Sequence, residues 1–168
     1  MIQFQLREAS QQDGQIIWNM LNEIGPGEQG FSNSAYNLTK RQFKAYLMRC
    51  EQYARAEQLE PGHVPQTTYW FFRENYPVGV LKLRHHLNEN LRYQGGHIGY
   101  AIRPTERAKG YGKKMLAAGL DQAKKHRINE VLLTIFENNQ ASRKMVERNG
   151  GRLERIQSGI CYYWITLS

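Results

Sequence analysis

One stretch of the chain restricts the kind of sheet that it can build. Residues 97–103 have the composition of a strand, residues 111–127 carry apolar side chains at helical spacing, and residues 131–136 are almost entirely apolar. A strand, a helix and a second strand in this order form a parallel crossover. A nearly continuous apolar run is typical of a strand that is buried on both faces. The stretch therefore predicts an α/β fold with 131–136 as a central strand.

The flanking segments predict an otherwise antiparallel sheet. Thr39 and Gln42 have the spacing of a capping box at a helix start, and Tyr76-Pro77 has the composition of a turn. We expect residues 29–37 to form a loop. Periodicity predicts helices at 17–24, 43–54, 111–127 and 139–149, and strands at 2–6, 67–73, 78–85, 97–103, 131–136, 153–156 and 161–167. Consecutive strands favour antiparallel pairing, so the sheet is predicted to be of mixed direction.

Length and cysteine content bound the class of protein. The 168 residues suit one domain, which we expect to span residues 1–168. Cys50 and Cys161 are too few for a disulfide framework or a cysteine zinc site, so no metal is expected. No apolar run approaches the roughly 20 residues that span a bilayer, and the N-terminus does not have the pattern of a signal peptide. These features predict a cytoplasmic protein that does not bind membranes.

The net charge of +8 favours an anionic partner. Residues 103–127 alone hold eight lysines and arginines against two acidic residues, so +6 of that charge falls in one loop and the helix after it. The aromatic run at 69–72 is better explained as core than as a base-stacking surface, because it lies in a predicted hairpin. No helix-turn-helix, zinc-finger or RNA-recognition signature is present. The charge therefore favours a phosphorylated ligand over a specific nucleic acid.

The loop before the predicted long helix is suited to a phosphate. A helix N-terminus has unpaired amides and partial positive charge, and glycine lets an anion approach the backbone. Arg107, Gly110 and Gly112 match the pattern Arg-x-x-Gly-x-Gly. A Walker A loop is excluded because Lys114 stands where Ser or Thr is required, and Met115 departs from the dinucleotide fingerprint. The loop also fits a plain helix start with solvated charges.

These residues resemble the acyl-CoA pyrophosphate loop of the GNAT superfamily of N-acetyltransferases. The segment Asn139-Gln140-Ala141-Ser142 resembles the start of the next GNAT helix, and the predicted element order is similar. Segments 95–100, 149–151 and 163–165 resemble an uncharacterised bacterial subgroup of predicted acetyltransferases. The resemblance implies a mostly antiparallel central sheet with a splayed parallel strand pair and flanking helices. It also implies acetyl-CoA as the acyl donor.

The resemblance also implies which residues hold acetyl-CoA. The pyrophosphate would bind the loop amides beside the Arg107 side chain, and the pantetheine arm would lie along the strand at 97–103. Asn139 and Ser142 would contact the pantetheine or the sulfur, although a plain helix cap explains Asn139 equally well. The implied backbone contacts are Tyr100, Ala101 and Ile102 for the arm, and Lys109, Gly110, Tyr111, Gly112 and Lys113 for the pyrophosphate.

Candidates for catalysis and acceptor binding are less constrained. Val146 stands where GNAT proteins often place a tyrosine that acts as the general acid. Tyr163 and its neighbour Tyr162, on the last strand, are therefore substitute candidates. His97 and His85 are candidate general bases, because histidine titrates near neutral pH. Structural hydrogen bonding explains both histidines as well. The resemblance places Glu23 and Glu28 at the acceptor wall, where they would bind a cationic amine unless they are merely solvated.

The resemblance predicts direct transfer of an acetyl group to a primary amine of a small molecule or peptide. GNAT proteins are often dimers, so a homodimer is among the expected assemblies. Val146 leaves open a catalytically silent CoA-binding module, and the net charge leaves open a basic nucleic-acid-binding protein. The sequence does not choose among acceptor amines.

Overall fold

The structure is a computed structural model that describes residues 1–168. Its helices are α1 (Gln15–Ile24), α2 (Lys40–Ala54), α3 (Glu89–Tyr93), α4 (Tyr111–Lys125) and α5 (Gln140–Arg148), with a 3₁₀ turn at Pro104–Glu106. Its strands are β1 (Phe4–Glu8), β2 (Gly27–Glu28), β3 (Phe31–Ser32), β4 (Gln66–Arg73), β5 (Tyr76–Arg84), β6 (Ile98–Ile102), β7 (Glu130–Phe136), β8 (Arg152–Gln157) and β9 (Ile160–Thr166). None of the helices has the length and apolar composition needed to cross a membrane.

The strands form two main sheets rather than one continuous sheet. The first has the order β1-β4-β5-β6, the second has the order β7-β9-β8, and every ladder within them is antiparallel. Strands β6 and β7, which α4 connects, face each other without a ladder between them. The mixed α/β fold with flanking helices and a splayed strand pair is therefore confirmed.

The two sheets meet at one end of β6 and β7. The His97 amide donates to the Leu132 carbonyl at 2.8 Å, and the Leu132 amide donates to His97 Nδ1 at 2.9 Å. Gly96 permits this approach, because a Cβ there would lie 2.4 Å from the Leu132 carbonyl oxygen and its φ is +62°. Because no ladder continues beyond this joint, a gap opens toward Ile102 and Phe136.

Both faces of the first sheet are buried. Strand alternation sends Leu81 and Phe71 toward α4, where they pack in a core with Met115. Trp70 and Val80 point to the other face and pack against α1 and α2. This packing fixes the position of β5 and β6 and thereby one wall of the gap.

Two local predictions differ from the structure. The hairpin turn lies at Glu74, whose φ is +53°, and Asn75. Tyr76 and Pro77 instead begin β5. Pro77 lies beside the register shift in the β4–β5 pair, where a missing amide is tolerated. The segment predicted as a loop holds β3, which pairs with β2 in a short hairpin. Two-residue strands are too short to produce a visible alternation.

Candidate active site

A cleft of about 770 Å³ lies between the splayed strands β6 and β7. The N-terminal ends of α4 and α5 and the β2–β3 hairpin complete its walls. The cleft brings together the residues that the resemblance assigned to acetyl-CoA, apart from Lys109. Those that line it are Tyr100, Ala101, Ile102, Arg107, Gly110, Tyr111, Gly112, Lys113, Asn139 and Ser142.

The edge of β6 that faces the cleft carries unpaired backbone groups. The Arg84 amide donates to the His97 carbonyl at 2.7 Å, and the Arg103 amide donates to the Val78 carbonyl at 2.9 Å. Because hydrogen-bonded pairs alternate along an antiparallel ladder, Ala101 directs its amide and carbonyl toward β5. Tyr100 and Ile102 direct theirs into the gap. The expectation that all three backbones face the cleft therefore holds geometrically for two of them and is wrong for Ala101.

The N-terminus of α4 opens onto the cleft without a capping side chain. Gly110 precedes the helix with φ of +81°, and no atom lies within 4 Å of where its Cβ would be. The amides of Ala108, Lys109 and Gly110 donate to no protein group, and the first-turn amides have no partner inside the helix. This end of the cleft is a site for an anion.

Gly112 lines the cleft and also lies where two helices pack together. Its Cβ would lie 2.8 Å from Met145 Sδ on α5, so the glycine allows α4 and α5 to approach each other. Its φ is not in the left-handed region, unlike that of Gly110. Sequence reasoning assigned Gly112 to phosphate approach and missed this additional contact, because Met145 is distant from it in the sequence.

Five basic side chains surround this end of the cleft or lie beside it. Arg107 pairs with Glu28 at 2.6 Å, and Lys109 pairs with Glu106 at 2.9 Å, which also raises the pKa of Lys109. The other three form no ion pair and line the cleft, and these are Lys113, Lys144 and Arg148. Sequence reasoning missed the two on α5, although their spacing of four with each other puts them on one helix face.

Two hydroxyl groups meet across the cleft. The Tyr100 side chain extends from β6, and its hydroxyl contacts the hydroxyl of Ser142 on α5. Asn139 caps α5 by accepting from the Ser142 amide at 3.3 Å. Burial raises the pKa of Tyr100 to about 12, so its hydroxyl keeps its proton at neutral pH. Sequence reasoning assigned a role to the Tyr100 backbone and missed its side chain.

The structure does not bring the candidate bases into the cleft. His97 is buried at the joint between the sheets, with Nδ1 occupied by the Leu132 amide. His85 Nε2 lies 2.8 Å from Thr67 Oγ1, and its ring stacks on His126 at 4.2 Å. Burial lowers the pKa of each of the two candidates to about 4. Both geometries match the structural alternative for these histidines.

The remaining catalytic candidate is also outside the cleft. Tyr163 is fully buried; its hydroxyl donates to Glu147 at 2.9 Å and accepts from Arg143 Nε at 3.1 Å. Burial raises its pKa. Val146 is buried in the core between α5 and the sheet, so position 146 does not reach the cleft either.

The two glutamates expected to bind a cationic amine are both engaged with arginines. Glu23 accepts from Arg103 Nε at 2.9 Å and from the Thr105 amide at 2.9 Å. Burial opposes ionisation of Glu23, but the Thr105 hydrogen bonds and the Arg103 charge outweigh it and lower its pKa. Glu28 lines the cleft but pairs with Arg107. No group of three or more His, Cys, Asp or Glu side chains is placed to hold a metal ion.

Solved structures with the same fold come from several acetyltransferases. RimL, a ribosomal L7/L12 alpha-N-protein acetyltransferase in complex with coenzyme A, is 17% identical with a TM-score of 0.74, and the match covers 98% of this chain and 94% of RimL. The ribosomal-protein-S5-alanine acetyltransferase of Vibrio fischeri is 15% identical with a TM-score of 0.71, covering 97% and 92%. The putative acetyltransferase yncA of Salmonella typhimurium, bound to acetyl-CoA, is 14% identical with a TM-score of 0.65, covering 98% and 94%.

The sequence itself supplies the family. No curated protein matches the chain. The sequence model of the acetyltransferase (GNAT) family matches residues 32–151, from β3 through α5, which includes both strands of the cleft and the loop between them. The chain belongs to the GNAT family of acetyltransferases.

Proposed function

We propose that this chain, as one domain, transfers an acetyl group from acetyl-CoA directly to a primary amine. The observation that carries the proposal is the combination of a splayed strand pair with an uncapped helix N-terminus at its open end. Such a cleft fits an extended arm that ends in a pyrophosphate. The presence of coenzyme A in RimL and of acetyl-CoA in yncA, both of the same fold, supports this choice of donor.

The pyrophosphate is assigned to the loop before α4. The free amides of Lys109 and Gly110 and the first-turn amides would donate to its oxygens, since the helix end carries partial positive charge. Lys113 and Arg107 stand beside them, and Lys144 and Arg148 approach from α5. These side chains supply much of the local charge that two phosphate groups require.

The pantetheine arm is assigned to the open edge of β6. The inward amides and carbonyls of Tyr100 and Ile102 would pair with its two amide groups as a neighbouring strand does, although the Ile102 carbonyl already accepts from Arg107 Nε at 2.9 Å. Asn139 and Ser142 close the opposite wall. The arm would thus fill a gap that the sheet leaves between its halves.

Bound acetyl-CoA supplies the thioester whose carbonyl carbon the amine attacks. The new C–N bond forms as the C–S bond breaks, and the sulfur departs as a thiolate. The Tyr100 and Ser142 hydroxyls are the donors placed across the cleft, so we assign to them the hydrogen bonds that stabilise this thiolate. Only on the order of 0.1% of an amine with pKa near 10 is free at neutral pH, so the ammonium first gives one proton to water. The nitrogen loses a second proton as the amide forms, and that proton goes to the CoA thiolate or to water.

The test is release of CoA thiol from acetyl-CoA by the full-length protein with a panel of primary amines, together with equilibrium binding of acetyl-CoA. Binding and amine-dependent thiol release support the enzyme. Binding without release by any amine supports the catalytically silent CoA-binding module, for which the burial of Val146 is the structural argument. Absence of acetyl-CoA binding overturns both.

A further inference from the structure

A second cavity, of about 440 Å³, lies beside the cleft, between α2, α3 and the outer face of β4 and β5. We call it the α2 pocket. Its volume lies in the range of roughly 300–1,000 Å³ that small-molecule sites occupy. The side chains that define its character are Tyr46, Arg49, Tyr53, His63, Lys82 and Arg84.

The α2 pocket and the cleft share part of their lining. Lys82 and Arg84, on β5, border both spaces. Gly99 on β6 is the register partner of Lys82, and a Cβ on it would lie 3.5 Å from Arg84 Nη1. Because position 99 has no side chain, nothing projects from β6 between the two cations and the cleft. A small molecule in the α2 pocket therefore has its inner end beside the strand that we assign to the pantetheine arm.

The two inner cations of the α2 pocket, Lys82 and Arg84, have no balancing acid. No Asp or Glu lines the pocket, and neither Lys82 nor Arg84 forms an ion pair. Lys82 Nζ donates to the Ser32 carbonyl at 3.1 Å, and Arg84 donates to the Gly95 carbonyl at 3.0 Å and to Gln66 Oε1 at 3.2 Å. Lys82 Nζ also lies 5.0 Å from the centre of the Phe31 ring. Partly buried cations whose partners are all uncharged are costly, and an anion between them offsets that cost.

We propose that the α2 pocket binds an anionic group of the acceptor, so that the acceptor is a small amine that also carries a carboxylate or a phosphate. The inference rests on the proposed function and adds the acceptor class. Arg49 stands at the exposed side of the pocket, paired with Glu60 at 3.0 Å, and Lys82 and Arg84 stand at the inner side. The anionic group binds among these cations, and the amine reaches past Gly99 toward the thioester.

The cations of the α2 pocket are more available to an acceptor than the two glutamates that were expected to bind it. Glu23 and Glu28 are held by Arg103 and Arg107, while the cations at Lys82 and Arg84 are free of carboxylates. The charge next to the cleft on this side is therefore positive. A plain polycation would be repelled from it, whereas a molecule with an anionic end is attracted.

Matched amines test the proposal. The full-length protein is given ethanolamine or phosphoethanolamine, and L-alaninamide or L-alanine, and thiol release from acetyl-CoA is measured at pH 7.5. We expect kcat/KM to be at least tenfold higher for the anionic member of one pair, and the favoured pair distinguishes phosphate from carboxylate. The amine of alaninamide is less basic than that of alanine, so a preference for alanine does not arise from nucleophile availability. If kcat/KM for each neutral amine equals or exceeds that for its anionic partner, the inference is overturned and the proposed function is unaffected.

A binding measurement tests the α2 pocket independently of the proposed acetyl transfer. Phosphoethanolamine and L-alanine are titrated into the protein by calorimetry without acetyl-CoA, with ethanolamine and alaninamide as the neutral partners. Heat from an anionic member alone supports the α2 pocket even if no thiol is released. Absence of binding by both anionic amines, in a protein that binds acetyl-CoA, overturns the pocket assignment only.

Variants locate the site. Lys82→Met is expected to raise KM for the favoured anionic amine at least tenfold with a smaller change in kcat, because it removes one of the two inner cations. Lys44→Met is the control, since Lys44 is exposed on α2 and lies outside the pocket. If Lys82→Met fails to fold, Arg49→Met tests the outer side and is expected to raise KM about threefold. An unchanged KM in a folded Lys82→Met or Arg49→Met variant contradicts the proposal.

Discussion

Tyr100 takes part in the candidate site through both its backbone and its side chain. Its backbone polar groups face the gap, and its hydroxyl meets that of Ser142 on the opposite wall. With a pKa of about 12 the phenol holds its proton at neutral pH, so it acts as a hydrogen-bond donor to a thiolate rather than as a strong acid. Val146 provides no such group. Tyr100 is therefore the residue on which the proposed leaving-group step depends most.

Tyr100→Phe is expected to lower kcat about tenfold, equivalent to roughly 1.4 kcal/mol, and to change KM for acetyl-CoA by less than twofold. The backbone contacts remain and only the hydroxyl is lost. Steady-state thiol release measures both constants. Tyr93→Phe, at an exposed position on α3, is the matched control. A rise in KM for acetyl-CoA with no loss of kcat would instead mean that Tyr100 only helps to bind acetyl-CoA.

Lys82 gives the α2 pocket a pH dependence. Burial, and then the charge of Arg84, lower the pKa of Lys82 to about 8. The groups that face it are Arg84 on its own strand, Cys50, Tyr46 and Arg49 on α2, and His63 on the following loop. Burial raises the pKa values of Cys50 and Tyr46, so both stay neutral at pH 8.

Affinity for the favoured anionic amine is therefore expected to be highest below pH 8 and to fall as pH rises from about 8 to 9, because Lys82 loses its proton in the free protein. Calorimetric titrations at several pH values measure this decrease. In Lys82→Met the affinity is already low and is expected to vary little over the same range. A decrease of equal size in that variant would assign the titration to another group.

Gly112 shows how the contact between α4 and α5 shapes the cleft. Its Cβ would lie 2.8 Å from Met145 Sδ, and Met145 itself lines the cleft. Gly110, two positions earlier, has open space around it but a φ of +81°. A side chain at Gly112 would therefore have to displace Met145, whereas at Gly110 it would strain the backbone.

Gly112→Val is expected to lower the free energy of unfolding by about 1–3 kcal/mol, as overpacking commonly does. Urea denaturation measures the change. The second substitution Met145→Ala removes the opposing sulfur, so we expect the double variant to recover part of the loss, whereas it cannot relieve strain in Gly110→Ala. If Met145→Ala restores no stability to Gly112→Val, the close approach of the two helices does not cause the stability loss in that variant.

The elements that the sequence could predict are those whose signals are local. The capping box is present, with the Gln42 amide donating to Thr39 Oγ1 at 3.2 Å, and Asn139 caps α5. The apolar run of β7 and the loop before α4 are equally local. The hydroxyl partners of Tyr100 and Tyr163 depend on helix packing across long sequence separations. No local pattern reports such distances, which is why the cleft walls were predictable and the catalytic candidates were not.

At the scale of the whole molecule, the positive charge divides between two neighbouring spaces. The sequence located most of the net charge between residues 103 and 127, and part of that charge surrounds the open N-terminus of α4. The structure adds Lys144 and Arg148 from α5 and a separate pair, Lys82 and Arg84, between the cleft and the α2 pocket. An anionic donor and an anionic acceptor would approach from different sides of β6 and meet near Gly99.

The joint between the two sheets makes the whole fold sensitive to acid. His97 and His85 are neutral at pH 7, with pKa values that burial lowers from 6.5 to about 4. In the unfolded chain both protonate near 6.5, so the unfolded state takes up protons first as pH falls. The stability that the neutral rings contribute is complete above about pH 6.5 and is lost progressively toward pH 4. Carboxylates such as Glu23, whose pKa is lowered, begin to contribute their own loss as pH falls below about 4.5, the value in the unfolded chain.

The free energy of unfolding, from urea titrations, is therefore expected to decrease between pH 6.5 and 4.5. In the double variant His85→Gln, His97→Asn the decrease should be much smaller, because the new amide oxygens accept the Leu132 hydrogen bond and contact Thr67 without titrating. His63→Gln, which changes an exposed histidine, serves as the control and should keep the full slope. If the unfolding free energy of the double variant falls with pH as steeply as that of the wild type, the acid sensitivity does not originate at His97 and His85. That result would also contradict the assignment of neutral rings to these two histidines.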